Sequence, residues 1–127
     1  MSRSVIIAES SRQVAKLIAE TFEESDFAIL GSFSDGIGAL NCARLTPPTI
    51  LTVDLILPRL SGIQLATAVS KMPLPPVVIA ISAVTAHSRL AQAEAAGVRY
   101  YILKPLANNK LRDVLTKQLA PRAAVAG

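Results

Sequence analysis

Hydrophobic and polar positions alternate in blocks along this chain. Val5-Ile6-Ile7-Ala8 is a short apolar run that predicts a buried strand. Val14, Leu17, Ile18, Thr21 and Phe22 then recur at helical spacing, with Arg12, Lys16, Glu20 and Glu23 between them. Ser10 or Ser11 can cap that helix. Phe27 to Phe33 predicts a second strand, and Ser34-Asp35-Gly36 opens a helix to about Leu45 that Pro47-Pro48 stops. Thr49 to Asp54 predicts a third strand. Ser61 to about Met72 predicts a third helix, with Ile63, Leu65, Ala66 and Val69 on or near one face.

Pro73-Leu74-Pro75-Pro76 is a stiff loop. Val77 to Ser82 is nearly all apolar, as expected of a strand covered on both faces. An Ala-rich helix over Thr85 to Ala96 ends at Gly97, a C-cap residue. Val98 to Leu103 is the fifth strand, Lys104-Pro105 punctuates it, and a last helix runs from Ala107 to about Ala120. Pro121 to Gly127 reads as a frayed tail. Five strands alternating with five helices predict a doubly wound α/β domain, its parallel sheet covered on both faces. The chain is expected to form one domain over residues 1–127, its core at about 4–120.

Composition narrows the classes. Half of the chain (51%) is hydrophobic and 17% is charged, which suits a packed core and not a disordered chain. No run reaches the roughly 18 apolar residues that a membrane span needs, and the start meets Glu9 too early for a secretory signal. A cytoplasmic protein is expected. Cys42 stands alone and is expected to be a buried, inert thiol. Residues 1–64 carry five Lys/Arg and seven Asp/Glu, whereas residues 65–127 carry eight and two. That basic half contains no Lys/Arg run and few aromatics, so direct nucleic-acid binding is not expected. Arg89, Arg99, Lys110, Arg112 and Lys117 read as a solvated face, with a docking or dimer face as the sharper alternative. His87, with no second His or Cys nearby, reads as an exposed surface residue.

The chemistry gathers at strand ends. Asp54 closes an apolar run and meets no charged neighbour in Leu55-Ile56-Leu57-Pro58. A charge beside a buried strand is costly unless something uses it. For a lone strand-end aspartate, a helix N-cap or loop role stands beside a functional one. Open α/β sheets bind ligands at the carboxyl ends of their strands, where Glu9-Ser10, Asp54, Ser82 and Lys104 fall here. Two carboxylates, hydroxyls and an ammonium suit a Mg²⁺ ion with phosphate oxygens, and an aspartate can accept a phosphoryl group.

In this order, Glu9, Asp54-x-x-x-Pro58-x-x-x-Gly62, Ser82-Ala83 and Tyr101-x-x-Lys104-Pro105 make the chain resemble the receiver domains of two-component response regulators, over about residues 4–120. The resemblance implies a flavodoxin-like sheet of order 2-1-3-4-5. It implies Asp54 as phosphoacceptor, charged by a sensor histidine kinase or a histidine phosphotransfer protein. Mg²⁺ would be held by Glu9, Asp54 and the carbonyl of Ile56. Ser82 and Tyr101 would be the switch residues, Lys104 the partner of the phosphoryl group, and Pro105 would follow a cis peptide. The family is a signalling one, at most slowly releasing its own phosphate, and its fourth helix, fifth strand and fifth helix carry output and can carry a homodimer.

Ser10 departs from the family, whose members usually place a second acid there; weaker metal binding is expected. Ile56 and Val84 stand where the family tunes hydrolysis. Neither can orient water, so a long-lived aspartyl phosphate is expected. The alternative reading is a receiver-like interaction module that works without phosphorylation. An aspartyl-nucleophile phosphatase would want an acid where Ile56 stands, and a flavodoxin-like cofactor carrier would want a phosphate cradle after the first strand.

Overall fold

A computed structural model of the chain describes residues 3–106 and 108–118. The elements alternate as β1 (Ser4–Ala8), α1 (Arg12–Glu24), β2 (Ala28–Phe33), α2 (Gly36–Leu45), β3 (Ile50–Val53), α3 (Gly62–Ser70), β4 (Val77–Ser82), α4 (His87–Ala95), β5 (Val98–Leu103) and α5 (Asn108–Asp113), the last continued by a π-helical turn, Val114–Gln118. All strand pairs are parallel and the order is β2-β1-β3-β4-β5. This is the expected doubly wound sheet. Among the described residues no helix is long and apolar enough to cross a membrane.

The period of two along each strand divides the core. Val5 and Ile7 of β1, with Ile79 and Ile81 of β4, pack against Ile18 and Phe22 of α1 and Leu111 and Leu115 at the chain's last helical segment. Ile6 and Ala8, with Leu51, Val53, Val78 and Ala80, pack against Ala39 and Leu40 of α2, Leu65, Ala66 and Val69 of α3, and Ala93 of α4. Both faces of β1, β3 and β4 are therefore dry. That is why these strands read as continuous apolar runs, while the edge strands β2 and β5 carry exposed positions.

Several boundaries move from the sequence expectation. Asp54 and Thr49 lie outside β3, and α3 ends at Ser70 rather than near Met72. α4 begins at His87, and its N-cap, Ala86, makes no side-chain bond to the first turn. Ser11, and not Ser10, caps α1 through a bond from the Val14 amide. Ser61 caps α3 in a reciprocal box with Gln64. Gly97 follows α4 at φ 108°, a conformation that favours glycine. Cys42 is half-buried, not fully enclosed, and packs beside Gly31. His87 is exposed, as expected. The expected Ala107, Leu119, Ala120 and the 121–127 tail lie outside the described residues.

Candidate functional site

The sheet register brings the polar strand ends together. Ala8 is level with Val53, and Val53 with Ala80, so the residues that follow β1 and β3 are neighbours. The Asp54 amide donates to the Ala8 carbonyl at 3.0 Å, which extends the ladder by one bond past each strand. On the other side Ser82 pairs with Leu103, and the Lys104 amide donates to the Ser82 carbonyl at 2.9 Å. Four backbones are thus fixed before any side chain is considered.

The side chains then converge. Lys104 Nζ donates to Asp54 Oδ2 at 2.7 Å and to Glu9 Oε2 at 2.9 Å. Ser82 Oγ donates to Asp54 Oδ1 at 2.8 Å, and the Ile56 amide donates to the same oxygen at 3.1 Å. The Ser11 amide donates to Glu9 Oε2 at 2.9 Å. Glu9 is 3% exposed, Asp54 7% and Ser82 0%. Carboxylates so buried persist only when paired, and Lys104 is the cation that pairs them. Burial by itself would push the Lys104 pKa down. The hydrogen bonds to Asp54 and Glu9, and their charges, outweigh it and hold the ammonium above its ordinary value.

Two carboxylates against one ammonium leave the cluster one charge negative when all three are ionised. Glu9 Oε1 is buried and has no hydrogen-bond partner. An unpartnered buried carboxylate oxygen beside a second carboxylate fits a divalent cation, as the donor chemistry of Mg²⁺ requires. The donor set is small. Among the described residues no group of three or more His, Cys, Asp or Glu side chains could hold a metal, and Ser10 is exposed.

The structure brings Glu9, Asp54, Ser82 and Lys104 into direct contact. Ile56 joins through its backbone while its side chain is 69% exposed. Tyr101 stands one step away. Its hydroxyl donates to the Val84 carbonyl at 2.7 Å, in the loop that follows Ser82. Tyr100 packs on the opposite face, as the alternation requires, with Arg99 stacked over its ring. The Lys104–Pro105 peptide is cis. Of the basic residues of the second half of the chain, Arg89, Arg99, Lys110 and Arg112 are exposed; Arg99 lies over the Tyr100 ring and Arg112 pairs with Glu24 at 3.1 Å.

Sequence reasoning missed the supports of the site. The Gly62 amide donates to the Leu55 carbonyl at 3.0 Å, and a Cβ on Gly62 would lie 2.2 Å from the Asp54 carbonyl oxygen. A Cβ on Gly36 would lie 2.2 Å from the Leu60 carbonyl oxygen. The glycines let α2 and α3 close on the Asp54 loop. The G at the end of the Asp54-x-x-x-Pro58-x-x-x-Gly62 spacing was the available signal; nothing in the sequence marked Gly36 beyond a helix start.

The model of the response regulator receiver domain matches residues 5–116. The chain belongs to that family. Receiver domains are signalling domains, not classical enzymes; they interact with histidine kinases or phosphotransfer proteins, and those of the CheY type bind Mg²⁺ in an acidic pocket. The chain is 29% identical over 109 residues to the transcriptional regulatory protein PdtaR of Mycobacterium tuberculosis, covering 86% of this chain and 53% of that protein. It thus spans about half the length of the first curated relatives it matches. It is 21% identical to the chemotaxis protein CheY of Thermotoga maritima, over 92% of this chain and 98% of that one. Among solved structures, the response regulatory domain of protein mrkE from Klebsiella pneumoniae superposes with a TM-score of 0.83 at 25% identity, covering 98% of this chain and 99% of that one. The CheX-CheY-BeF3-Mg²⁺ complex from Borrelia burgdorferi gives 0.84 at 22% identity, covering 94% and 90%.

The site predicts an alkaline limit to stability. Burial, opposed in part by Ser82 and aided by the Asp54 charge, holds the Tyr101 hydroxyl above its ordinary pKa, and Lys104 is also raised. The folded chain therefore keeps both protons more tightly than the unfolded chain. Their stabilisation is complete below about pH 10 and is lost as pH rises through the folded values. Urea titrations should give a level unfolding free energy near neutrality and a fall above about pH 10. Tyr101→Phe, which also removes the bond to Val84 at a cost of about 1 kcal/mol, should make that fall shallower. An equally steep fall in the variant contradicts this reading.

Proposed function

We propose that the chain is a phosphoacceptor receiver in which Asp54 takes a phosphoryl group from a phosphohistidine on a sensor kinase or phosphotransfer protein. The observation that carries the reading is the bonding of one carboxylate, Asp54, by Lys104, Ser82 and the Ile56 amide together. An Asp54 oxygen would form the new O–P bond as the phosphorus–nitrogen bond of the phosphohistidine breaks, the leaving imidazole nitrogen taking up a proton. Lys104 and Ser82 would move from the carboxylate to the phosphoryl oxygens, exchanging one set of charge-assisted bonds for another. Phosphoryl transfer asks mainly for such positioning and charge neutralisation.

Glu9, Asp54 and the Ile56 carbonyl would hold Mg²⁺, whose charge would offset that of the transferred group. The exposed Ile56 side chain and the apolar Val84 present no group to orient an attacking water, so the aspartyl phosphate should be long-lived. Ser82 is the group that would pull on the loop that carries Val84, and Tyr101 holds that loop through its hydroxyl. Phosphorylation would then bias α4 and β5, the route by which the state of Asp54 would reach a partner or a second copy of the chain.

Incubation with acetyl phosphate and Mg²⁺, followed by intact mass, should show one phosphoryl adduct that is absent with chelator and decays slowly after the donor is removed. No adduct would instead leave a receiver-like module acting without phosphate. Ser10→Asp should tighten Mg²⁺ binding by about ten-fold, the scale on which ligand charge tunes divalent-cation sites. An unchanged affinity by isothermal titration would remove Ser10 from the account.

A further inference from the structure

A second concave surface lies away from Asp54. Between the C-terminal half of α2 and the length of α3 runs a groove of about 880 Å³, walled by Ile63, Ala68, Met72 and Leu74 and flanked by Arg44 and Lys71. None of Glu9, Asp54, Ser82 or Lys104 lines it. Leu74 in its wall is 71% exposed, and Leu45, next to Arg44 in the chain, is 86% exposed. These are the two most exposed of the large hydrophobic side chains among the described residues.

The charged side chains that line this groove, Arg44 and Lys71, are both cations. From Gly36 to Ala93 the sequence contains a single carboxylate, Asp54, which is buried and bonded to Lys104. Arg44 and Lys71 are both exposed and make no ion pair among the described residues. The two cations also sit at helix C-termini, where they favour the helix dipole. That role accounts for their charge, but not for the apolar channel between them or the exposed Leu74 in its wall.

We infer that the α2–α3 groove is a docking site for an acidic amphipathic helix of a partner protein. Such a helix would lay leucine-type anchors at i, i+3, i+4 and i+7 into the channel and turn its carboxylates toward Arg44 and Lys71. A partner held here would leave both the Asp54 site and the α4–β5 surface open. The inference stands whether or not Asp54 accepts phosphate.

The test uses the full 127-residue chain labelled with ¹⁵N. The probe is a synthetic helical peptide of about 18 residues, long enough for five turns, with leucines on one face and glutamates on the other. A control peptide keeps the leucines and replaces every glutamate with lysine. The glutamate peptide should shift the amides of Arg44 and of the Ile63–Leu74 segment, and the lysine peptide should bind about ten-fold more weakly. The double variant Arg44→Glu, Lys71→Glu, confirmed folded by circular dichroism, should lose that preference. Equal affinity for the two peptides, or no shift in the groove, overturns the proposal. So do groove shifts with sodium decanoate but not with peptide, or concentration-dependent groove shifts without peptide, which would mark a second copy as the occupant.

Discussion

Asp54→Asn should abolish phosphoryl uptake while leaving the fold in place. The change keeps the side-chain volume and one carbonyl oxygen, so the bonds from Ser82 and the Ile56 amide to Oδ1 can persist. It removes the anionic oxygen that Lys104 now holds at 2.7 Å. An amide oxygen is a poor nucleophile toward phosphorus, so the variant lacks the acceptor atom. Intact mass after treatment with acetyl phosphate and Mg²⁺ should show the adduct on the parent chain and none on the variant, with matching circular dichroism spectra. An adduct of equal yield on the variant would assign the phosphoryl group elsewhere.

Gly62→Ala should destabilise the fold by about 3 kcal/mol, the upper range for forcing atoms into a packed site. Added Cβ atoms are usually cheap when the neighbour is a flexible side chain. Here the neighbours are backbone: the Asp54 carbonyl oxygen at 2.2 Å and Leu55 Cα at 2.6 Å. Relief would require α3 to back away from the sheet or the Asp54 loop to move, and the Gly62-to-Leu55 hydrogen bond ties the two together. Leu65, Ala66 and Val69, all buried, would be drawn out with the helix. For a chain of this size the melting temperature should fall by about 10 °C. A loss below about 1 kcal/mol in urea titration would mean that the close approach is not needed.

The polar residues that meet at the candidate site could be read from the sequence, because each ends or directly follows an apolar run. Glu9, Asp54, Ser82 and Lys104 were each placed there by the strand pattern, and parallel register then brings them together. The alternation along β5 also separates Tyr100 from Tyr101, although periodicity alone cannot say which one faces the site. The supports were not legible in the same way. That Gly62 packs against the Asp54 backbone is a tertiary fact, and its residue type is equally that of a loop. The start of α4 was misplaced by two residues because Thr85 looked like a helix start, while Ala86 supplies no cap. The α2–α3 groove was invisible because Arg44 and Leu74 lie on either side of β3 in the chain and meet only when α2 packs against α3.

Two kinds of residue therefore build the site. The ionised and hydroxyl groups define what it can do, and the small residues behind them define where it stands. Lys104 bridges Glu9 and Asp54, while Glu9 Oε1 has no hydrogen-bond partner.

The central claim is that Asp54 itself carries the phosphoryl group, and chemical trapping tests it most directly. Borohydride reduces an acyl phosphate to an alcohol and leaves a free carboxylate untouched. After acetyl phosphate and Mg²⁺, borohydride treatment and peptide mapping should place homoserine at position 54 and nowhere else. Homoserine at another aspartate, or an unreduced Asp54 in a chain that carries a phosphoryl adduct, would contradict the account.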